Sequence, residues 1–495
     1  MRYVSTRNNN DTVTAAEAIK EGLSKNGGLF VPSEFPKLTE EIYSYLKNAS
    51  YKKRAAYILN MYLKEFTFED LCDFTEKAYG NGKFGGENTA PLYEYDPKTF
   101  FLELWHGPTC AFKDMALQML PHLLTASAKK TGDNRIITIL VATSGDTGKA
   151  ALDGFSDVDG SKIMVFYPKD GVSEIQRLQM ITQKGNNVCV CGVDGNFDDA
   201  QTGVKEIFTD SEFNEELNKK GIILSSANSI NWGRLAPQIV YYISSYVDLV
   251  NDGKINQGDK INICVPTGNF GNILAAYYAK KMGLPINKLI CASNSNNILT
   301  DFINTGIYDR NRDFILTMSP SMDILISSNL ERYLYDASGN DDKYISGIMN
   351  DLKTKGKYEV TDEIKAKIKN DFFAGFASEE ETLGEIKKCF SEKNYLIDTH
   401  TAVASAVINK YREKTGDNTP CVIASTANPY KFSASVLTAI GGKKLDDEFE
   451  MLNELNEMSG LEIPKSLKEL KTAEKRFTDY CPKTGLKKAV SEFLK

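Results

Sequence analysis

The amino-acid sequence predicts an α/β protein with open, twisted and mainly parallel sheets. Continuous apolar runs such as 135–142 (RIITILVA) and 260–266 are typical of parallel strands that are covered on both faces. These runs lead through glycine-rich turns into segments with helical periodicity, as at 143–155. Repetition of strand, turn and helix places helices on both faces of the sheets.

A chain of 495 residues is too long to fold around one compact core, so we expect two or three domains. Amphipathic periodicity predicts a mostly helical N-terminal domain over residues 1–95. Two α/β domains are expected to follow over 96–235 and 236–495. A charge-rich stretch at about 337–395 has helical periodicity and is interpreted as a helical insertion in the last domain.

The individual elements follow from capping residues, apolar runs and turn residues. Near the N-terminus, Thr14 and Glu17 form a capping box before a helix, and 27–32 (GGLFVP) is a turn into a short strand. Helices are predicted over 39–49, 51–65, 67–79, 149–155, 235–249 and 273–282. Strands are predicted over 101–105, 135–142, 162–167, 187–193, 222–225, 260–266, 289–293 and 421–424.

The composition argues against several classes of protein. The net charge of −7 does not suit a nucleic-acid partner, and no run of about 18 apolar residues predicts a membrane span. The N-terminus lacks the apolar core of a signal peptide, and the nine cysteines have no disulfide or zinc spacing. We expect a cytoplasmic protein, either a monomer or a homodimer. The three histidines are far apart, so no histidine-based metal site is expected.

Lys113 is the residue most indicative of chemistry. It lies six residues after a Gly107-Pro108 turn, where an apolar strand gives way to a helix. An amine among apolar neighbours loses solvation, which lowers its pKa and suits it to Schiff-base chemistry. The alternative is a surface lysine that opens an amphipathic helix. The segment HGPTCAFKD resembles a segment of threonine synthases, whose lysine holds pyridoxal 5′-phosphate (PLP) as a Schiff base. The resemblance implies that Lys113 is the catalytic and cofactor-binding lysine.

A glycine-rich turn at 266–272 (PTGNFGN) follows a strand and precedes a helix. Glycines let the backbone approach an anion and the helix N-terminus favours one, so a phosphate monoester is the natural ligand. A dinucleotide site would need a third glycine that is missing here, and a turn without a ligand is the other alternative. GNFGN resembles the loop that binds the PLP phosphate in threonine synthases. This resemblance implies cofactor contacts for Gly268, Asn269, Phe270, Gly271 and Asn272.

A second turn at 143–149 (TSGDTGK) has the position of a P-loop but lacks its residues. Thr143 replaces the first P-loop glycine, and Ala150 replaces the serine or threonine that would bind magnesium. Hydroxyl groups at a helix N-terminus instead form a nest for a carboxylate. SGDTG resembles the loop that holds the substrate carboxylate in threonine synthases, which implies substrate contacts for Ser144, Asp146 and Thr147.

A third turn at 424–432 (ASTANPYKF) also follows an apolar strand. It resembles a C-terminal segment of threonine synthases whose threonine faces the pyridine nitrogen of PLP, and Thr426 occupies that position. Asn428 stands where many members of the family have histidine. A capping hydroxyl after a buried strand is the alternative role for Thr426.

A substrate that carries its own phosphate needs a basic partner, and an arginine fork suits this task best. The segments KDGVSEIQR and NSINWGR, of which the second resembles a block of the family, supply the candidates Ser173, Arg177, Asn231 and Arg234. For Arg177 the alternative is an arginine on a helix surface. His400, in a DTHTA stretch similar to one in the family, has a structural role as its alternative.

Taken together, seven segments in chain order resemble the longer class of threonine synthases. The resemblance implies fold type II of the PLP enzymes and the conversion of O-phospho-L-homoserine and water to L-threonine and phosphate. The expected partner is therefore a small phosphorylated amino acid, not a nucleic acid or a membrane. Two alternatives stay open: a related phospho-lyase that gives 2-oxobutyrate, and a non-catalytic relative that binds PLP or an amino acid.

Overall fold

The computed structural model describes residues 1–86, 88–143 and 145–495. The N-terminal part contains β1 (Tyr3–Ser5), β2 (Asn8–Val13), α1 (Ala15–Glu21), β3 (Phe30–Pro32), α2 (Glu40–Lys47), α3 (Tyr51–Tyr62) and α4 (Phe68–Tyr79). The three strands form a small antiparallel sheet in the order β2-β1-β3. The capping box of Thr14 and Glu17 is present. The polar sequence NNNDTV does not predict β2, which pairs with β1 in spite of its low apolar content.

The middle of the chain alternates strands with helices. Its elements are β4 (Leu92–Asp96), β5 (Thr99–Glu103), α5 (Asp114–Leu117), α6 (Leu120–Lys130), β6 (Ile136–Ala142), α7 (Asp146–Phe155), β7 (Ser161–Pro168), α8 (Glu174–Ile181), β8 (Val188–Asp194), α9 (Phe197–Thr209), α10 (Ser211–Lys219), β9 (Ile222–Ser225), α11 (Trp232–Asn251), β10 (Ile261–Pro266), α12 (Gly271–Lys281), β11 (Ile286–Ser293), α13 (Ile298–Thr305) and β12 (Ile307–Asp309). The strands predicted in this part of the chain overlap these observed strands.

The last part contains α14 (Leu330–Ala337), α15 (Asp342–Lys355), β13 (Lys357–Glu359), α16 (Asp362–Asp371), β14 (Phe372–Phe376), α17 (Glu379–Lys393), α18 (Thr399–Thr415), β15 (Cys421–Ser425), α19 (Ser433–Ala439), α20 (Glu448–Ser459), α21 (Lys465–Lys468), β16 (Tyr480–Pro482) and α22 (Leu486–Phe493). The stretch 337–395 is mainly helical, but it also holds β13 and β14. The apolar sequence FFAGF allows β14 to pair with β11 at the edge of a sheet.

Two sheets form the centre of the described structure. The larger sheet has the order β14-β11-β10-β15-β5-β4, and the smaller sheet has the order β16-β8-β7-β6-β9. Apart from β4, which is antiparallel to β5, the strands of both sheets run parallel to their neighbours. This confirms the α/β class. The expected ranges 96–235 and 236–495 do not coincide with the sheets, because β5 and β16 each join strands from the other range.

Three of the loops that carry sequence motifs, those after β5, β10 and β15, lie at one edge of the larger sheet. The neighbouring strands β5, β15 and β10 run parallel, with Thr99 opposite Cys421 and Cys421 opposite Asn262. Their carboxyl ends therefore lie side by side, and the loops that follow the three strands emerge together. In open α/β sheets, ligands bind at this edge.

A continuous apolar core connects the N-terminal helices to the larger sheet through α11, which is buried along most of its length. A second core lies between the smaller sheet and the helices α9, α10 and α22. Among the described residues, no helix combines the length and the apolar character that crossing a bilayer requires.

Candidate active site

Lys113 lies directly before α5, and its side chain is only 11% exposed. Its Nζ donates a hydrogen bond to Ser321 Oγ (3.2 Å) and lies 3.7 Å from Asp146 Oδ2. The centre of the Phe112 ring is 5.2 Å from the same nitrogen. The amine is therefore largely removed from solvent and faces one hydroxyl and one carboxylate.

Burial is the main influence on the Lys113 amine, and it lowers the pKa of this group below its ordinary value. The negative charge of Asp146 opposes this shift, whereas the positive charges of Lys431 and Arg234 add to it. A lower pKa leaves more of the amine neutral at a given pH. A neutral amine is the form that acts as a nucleophile or as a base.

The turn after β15 holds the Lys113 loop in place. The N–H of Phe112 donates to the Thr426 carbonyl (2.8 Å), and Thr426 itself is buried. Asn428, at the position of the family's histidine, accepts the Tyr430 N–H with its side chain (3.0 Å) and so caps a short 3-10 turn. These contacts place Thr426 next to the lysine loop and give Asn428 a capping role.

Asp114 is fully buried and stabilises the Lys113 loop from inside. Its carboxylate accepts hydrogen bonds from the N–H (2.8 Å) and the hydroxyl (2.6 Å) of Thr109. A Cβ on Gly107 would lie 2.5 Å from this carboxylate, so the space admits glycine alone. Burial outweighs the Thr109 hydrogen bonds and raises the pKa of Asp114 to about 7.

This raised pKa predicts a pH-dependent stability. The carboxyl titrates near pH 4 in an unfolded chain, but near 7 in the folded protein. Between these values the folded state binds the extra proton, so stability that is present below pH 4 is lost as the pH rises through 7. The free energy of unfolding should fall by on the order of 4 kcal/mol over this pH range, and Asp114→Asn should remove most of this decrease.

Thermal unfolding measured between pH 4 and 8 checks this prediction. The fall in melting temperature with rising pH should be smaller in Asp114→Asn than in the unmodified protein. The exposed Asp159 supplies the control, because Asp159→Asn should leave the slope unchanged. An equal slope in Asp114→Asn would contradict the assignment.

The glycine turn that joins β10 to α12 presents its backbone at the same sheet edge. Within it, Phe270 has a left-handed φ of +62°, which is uncommon for a residue other than glycine. The N–H groups of residues 268–272 donate to no acceptor among the described residues. Free N–H groups at a helix N-terminus attract an anion.

The two glycines of this turn differ in the space around them. A Cβ on Gly268 would lie 2.6 Å from the carbonyl oxygen of Ser321, because the Ser321 loop closes against the turn. A Cβ on Gly271 would make ordinary contacts with Asn329 Nδ2 (3.4 Å) and Gln238 Nε2 (3.9 Å). The protein itself therefore excludes a side chain at Gly268 but leaves room for one at Gly271.

The two asparagines of the turn also differ. Asn269 is exposed, whereas Asn272 is buried at the start of α12. Its Oδ1 accepts hydrogen bonds from the hydroxyls of Tyr241 (2.9 Å) and Tyr242, but its Nδ2 has no partner among the described residues. A buried donor without a partner costs free energy. Next to the free N–H groups, this donor fits the phosphate of a cofactor.

The turn after β6 is shaped by Thr143, whose hydroxyl accepts the N–H groups of Gly145 (3.1 Å) and Gly148 (3.2 Å). Thr147 is half-buried in the first turn of α7. Ser144, a candidate substrate residue, lies outside the described residues. The start of α7 thus remains a candidate nest for a carboxylate through its N–H groups.

The Asp146 side chain lies between two lysines. Its Oδ1 lies 2.6 Å from Lys431 Nζ and accepts a hydrogen bond from Gln176 Nε2 (3.2 Å), and its Oδ2 faces Lys113. Although burial favours the neutral form, Lys431 and Lys113 hold the pKa of Asp146 well below its usual range. A carboxylate that stays charged repels a substrate carboxylate. The side chain therefore forms an ion pair with Lys431, and its contact with a substrate stays a prediction.

Ser173 and Arg177 both make local contacts on α8. The Ser173 hydroxyl caps the helix by accepting the Gln176 N–H (3.2 Å). Arg177 donates two hydrogen bonds to the Glu174 carboxylate (2.7 and 2.8 Å). The guanidinium already has an anionic partner, which favours the helix-surface interpretation of Arg177.

Asn231 and Arg234 lie at the start of α11, and both are buried. Asn231 accepts the Gly233 N–H (2.8 Å) and donates to the Ile19 carbonyl (2.9 Å), so its amide is used within the protein as a helix cap. Arg234 donates to the Ala227 carbonyl (2.7 Å), but its Nε has no partner among the described residues. Burial lowers the pKa of Arg234 to about 10. Arg234 Nε has no partner among the described residues, whereas both polar atoms of the Asn231 amide have one.

Two side chains that reach the site, Ser321 and Lys431, are not among the candidates that the sequence motifs indicate. Ser321 lies on the loop after β12, and its N–H donates to His400 Nε2 (3.2 Å). His400 Nδ1 therefore carries the proton and donates to Asp398 Oδ2 (2.6 Å), which makes His400 a structural residue that positions the Ser321 loop. Lys431 could have been found as a basic residue in a turn after a buried strand. The Ser321 loop follows a short edge strand and carries no comparable signal.

The chain is similar to known proteins along its whole length. Three family models match: "Threonine synthase N terminus" over residues 2–79, "Pyridoxal-phosphate dependent enzyme" over 89–426 and "Threonine synthase, C-terminal" over 401–490. The threonine synthase of Saccharomyces cerevisiae is 36% identical over 523 residues, which cover 99% of this chain and 98% of that protein.

Two further similarities concern a human protein and a bacterial structure. Human threonine synthase-like 1 is 43% identical over 442 residues, which cover 87% of this chain but only 58% of the length of that relative. The crystal structure of PLP-bound threonine synthase from Brucella melitensis matches with a TM-score of 0.89 and 36% identity, over 100% of this chain and 99% of that one.

The site fits PLP on its own geometry. The free N–H groups of residues 268–272 and the unpartnered amide of Asn272 suit the phosphate, and the amine of Lys113 suits a covalent bond to an aldehyde. The chain belongs to the threonine synthase family of pyridoxal-phosphate-dependent enzymes, and PLP is its cofactor.

Proposed function

We propose that the protein converts O-phospho-L-homoserine and water to L-threonine and phosphate. The observation that supports this most is the buried amine of Lys113, whose pKa is lowered, at the sheet edge where the glycine turn also opens. Similarity to the yeast threonine synthase over 99% of the chain supports the same reaction.

Several residues of this edge would hold the cofactor. Lys113 Nζ would anchor PLP covalently, and the N–H groups of residues 268–272 would bind its phosphate. Thr426 would face the pyridine nitrogen with a neutral hydroxyl, which leaves the ring largely uncharged. When bound, PLP withdraws electrons from the substrate and makes the protons next to its amino group acidic.

Lys113 would also move protons during the reaction. Its neutral Nζ would accept the proton from the substrate Cα and hold it as an ammonium group. Ser321 Oγ (3.2 Å) accepts a hydrogen bond from this nitrogen, and the Asp146 carboxylate (3.7 Å) stabilises its positive charge. Burial lowers the pKa of Lys113 and so shifts the amine towards the neutral form that begins this cycle. Positioned bases of this kind contribute roughly 10²–10⁴-fold to a rate.

The two anionic groups of the substrate would bind to different elements. The N–H groups at the start of α7 and the Thr147 side chain suit the carboxylate, and Ser144, outside the described residues, stays a candidate from the sequence. Arg234 suits the phosphate, because it is buried and its Nε has no partner among the described residues. Arg177 is already paired with Glu174, so we assign it a smaller role.

Product analysis tests the proposal. The holoenzyme incubated with O-phospho-L-homoserine should form L-threonine and phosphate in equal amounts, with little 2-oxobutyrate. Arg234→Ala should lower kcat/KM by roughly 30- to 5,000-fold, because loss of an arginine that pairs with a buried dianion costs about 2–5 kcal/mol. Arg177→Ala is the matched control and should change kcat/KM by less than about threefold, as expected for a surface ion pair.

Two outcomes would contradict the proposal. Equal turnover of phosphohomoserine and homoserine would show that the enzyme does not recognise the phosphate. A larger effect of Arg177→Ala than of Arg234→Ala would move the phosphate site to α8. PLP absorbance recorded for each variant separates a loss of cofactor from a loss of substrate binding.

A phospho-lyase that gives 2-oxobutyrate and ammonia is the second candidate. The observation in its favour is the 43% identity to a human protein that is named threonine synthase-like, which exceeds the 36% identity to the yeast synthase. Both reactions share the release of phosphate, so the ratio of threonine to 2-oxobutyrate decides between them. Absence of both products with PLP bound would favour a non-catalytic relative.

We also propose a cytoplasmic location. The nine cysteines are free thiols, and most of them are buried. Free thiols are typical of a reducing compartment. A monomer or a homodimer stays a prediction, which sedimentation of the purified protein can decide.

A further inference from the structure

Lys431 and Lys113 lie on opposite sides of the Asp146 carboxylate. One oxygen, Oδ1, is 2.6 Å from Lys431 Nζ, and the other, Oδ2, is 3.7 Å from Lys113 Nζ. The side chain of Lys431 has no exposed surface, and that of Asp146 is 4% exposed. The carboxylate is thus shared unequally between two lysines, and Lys431 has the closer contact.

The position of Lys431 is itself fixed by the Lys113 loop. Its Nζ donates a hydrogen bond to the Thr109 carbonyl (2.9 Å), four residues before Lys113. The same Thr109 holds the Asp114 carboxylate through its N–H and hydroxyl. Lys431 therefore joins the catalytic loop and the start of α7 through one buried ammonium group.

This geometry has a chemical consequence for Lys113. A carboxylate in full contact with a lysine keeps that lysine charged, and a charged amine is neither a nucleophile nor a base. The charged groups that act on the Lys113 amine are Asp146 on α7, Lys431 on the turn after β15 and Arg234 on α11. The other titratable groups near this cluster are His400 on α18, whose Nε2 accepts the Ser321 N–H, and Asp114 on α5, which lies next to Lys113 in the chain. Of these groups, Asp146 alone opposes the neutral amine directly.

We propose that Lys431 is a positioning residue, which holds the Asp146 carboxylate and prevents it from closing onto the amine of Lys113. The inference rests on the proposed role of Lys113 as cofactor anchor and base. Lys431 would act through Asp146 and would not need to contact the substrate. Without Lys431, the carboxylate would turn to the remaining ammonium group, and Lys113 would stay protonated to a higher pH.

The Lys431→Met variant tests this role, because methionine keeps the length of the side chain without its charge. The full-length protein, freed of PLP, is treated with trace acetic anhydride at a series of pH values, and acetylation of Lys113 is measured by mass spectrometry. The midpoint of this reaction should move upward by about one pH unit or more in Lys431→Met, as for groups that gain a close opposite charge. Lys431→Arg, which restores the charge, should return the midpoint towards that of the unmodified protein.

Two further measurements keep the test decisive. Asp146→Asn should move the midpoint downward, because it removes the anion that favours the charged amine. In the holoenzyme, the pH at which the visible absorbance of PLP titrates should rise in Lys431→Met in the same way. If Lys431→Met does not fold, the acetylation midpoints of Asp146→Asn and Lys431→Arg still test the proposal.

Two results would contradict the proposed role of Lys431. An unchanged midpoint in a folded Lys431→Met variant would reduce Lys431 to a structural ion pair. An unchanged or raised midpoint in Asp146→Asn would also overturn the proposal. The titrations use no substrate, so a contradicting titration would overturn the role of Lys431 but not the proposed reaction. A contradicting product assay would overturn the proposed reaction but not the role of Lys431.

Discussion

Lys113→Ala should abolish measurable turnover of O-phospho-L-homoserine, with a loss greater than about 10⁴-fold. Removal of a positioned base alone typically costs roughly 10²–10⁴-fold, and this variant also loses the covalent anchor of the cofactor. The buried Nζ contacts Ser321 and lies near Asp146, and alanine replaces neither contact. A steady-state assay of threonine and phosphate release measures the effect.

The fold should survive this substitution. The side chain of Lys113 lies at the edge of the sheet, and the buried Asp114 still holds the loop through Thr109. Lys130→Ala is the control, since Lys130 is an exposed lysine at the end of the next helix. Full activity in Lys113→Ala, with PLP bound, would contradict the assignment of this lysine.

Gly271→Ala should raise the dissociation constant of PLP by roughly 5- to 150-fold, because overpacking of a fitted site costs about 1–3 kcal/mol. The protein leaves room for this methyl group, since its nearest neighbours would be 3.4 and 3.9 Å away. Any loss of cofactor affinity therefore reports contact with PLP. Fluorescence or absorbance titration of the apoenzyme with PLP gives the constant.

Gly268→Ala provides the contrast. Its Cβ would lie 2.6 Å from the Ser321 carbonyl oxygen, so it should destabilise the apoenzyme as well as weaken PLP binding. Gly347→Ala is the matched control, because a Cβ there meets nothing within 4 Å and the residue lies in α15. Normal PLP affinity in Gly271→Ala would place the phosphate elsewhere, with the turn after β6 as the next candidate.

Local patterns predict the parallel strands and the glycine turn well. An apolar run such as 260–266 can be covered on both faces only inside a sheet, and the structure has β10 at this position. The turn at 267–271 is also predicted from the sequence, because its glycines and the start of the next helix are both local features. Lys113 is found in the same way, from its place between a strand and an apolar helix.

Pairings between distant segments have no such local signal. The short strand β16 and the strand β5 each join a sheet formed mainly by the other half of the chain. Their positions depend on the distant strands with which they pair, not on their own sequences. The ion pair of Asp146 with Lys431 spans 285 positions (431 minus 146), so each residue alone suggests a different role. Asn231 resembles a ligand-binding residue in sequence, but its contacts with Gly233 and Ile19 depend on the fold.

The most direct test of the central claim is to locate the covalent bond to PLP. The holoenzyme is reduced with borohydride and digested, and the peptide that carries the pyridoxyl group is identified by mass spectrometry. We expect the label on Lys113, within the segment HGPTCAFKD, and on no other lysine. A label on Lys431 or on any other lysine, or the absence of a label in a protein that binds PLP, would contradict it.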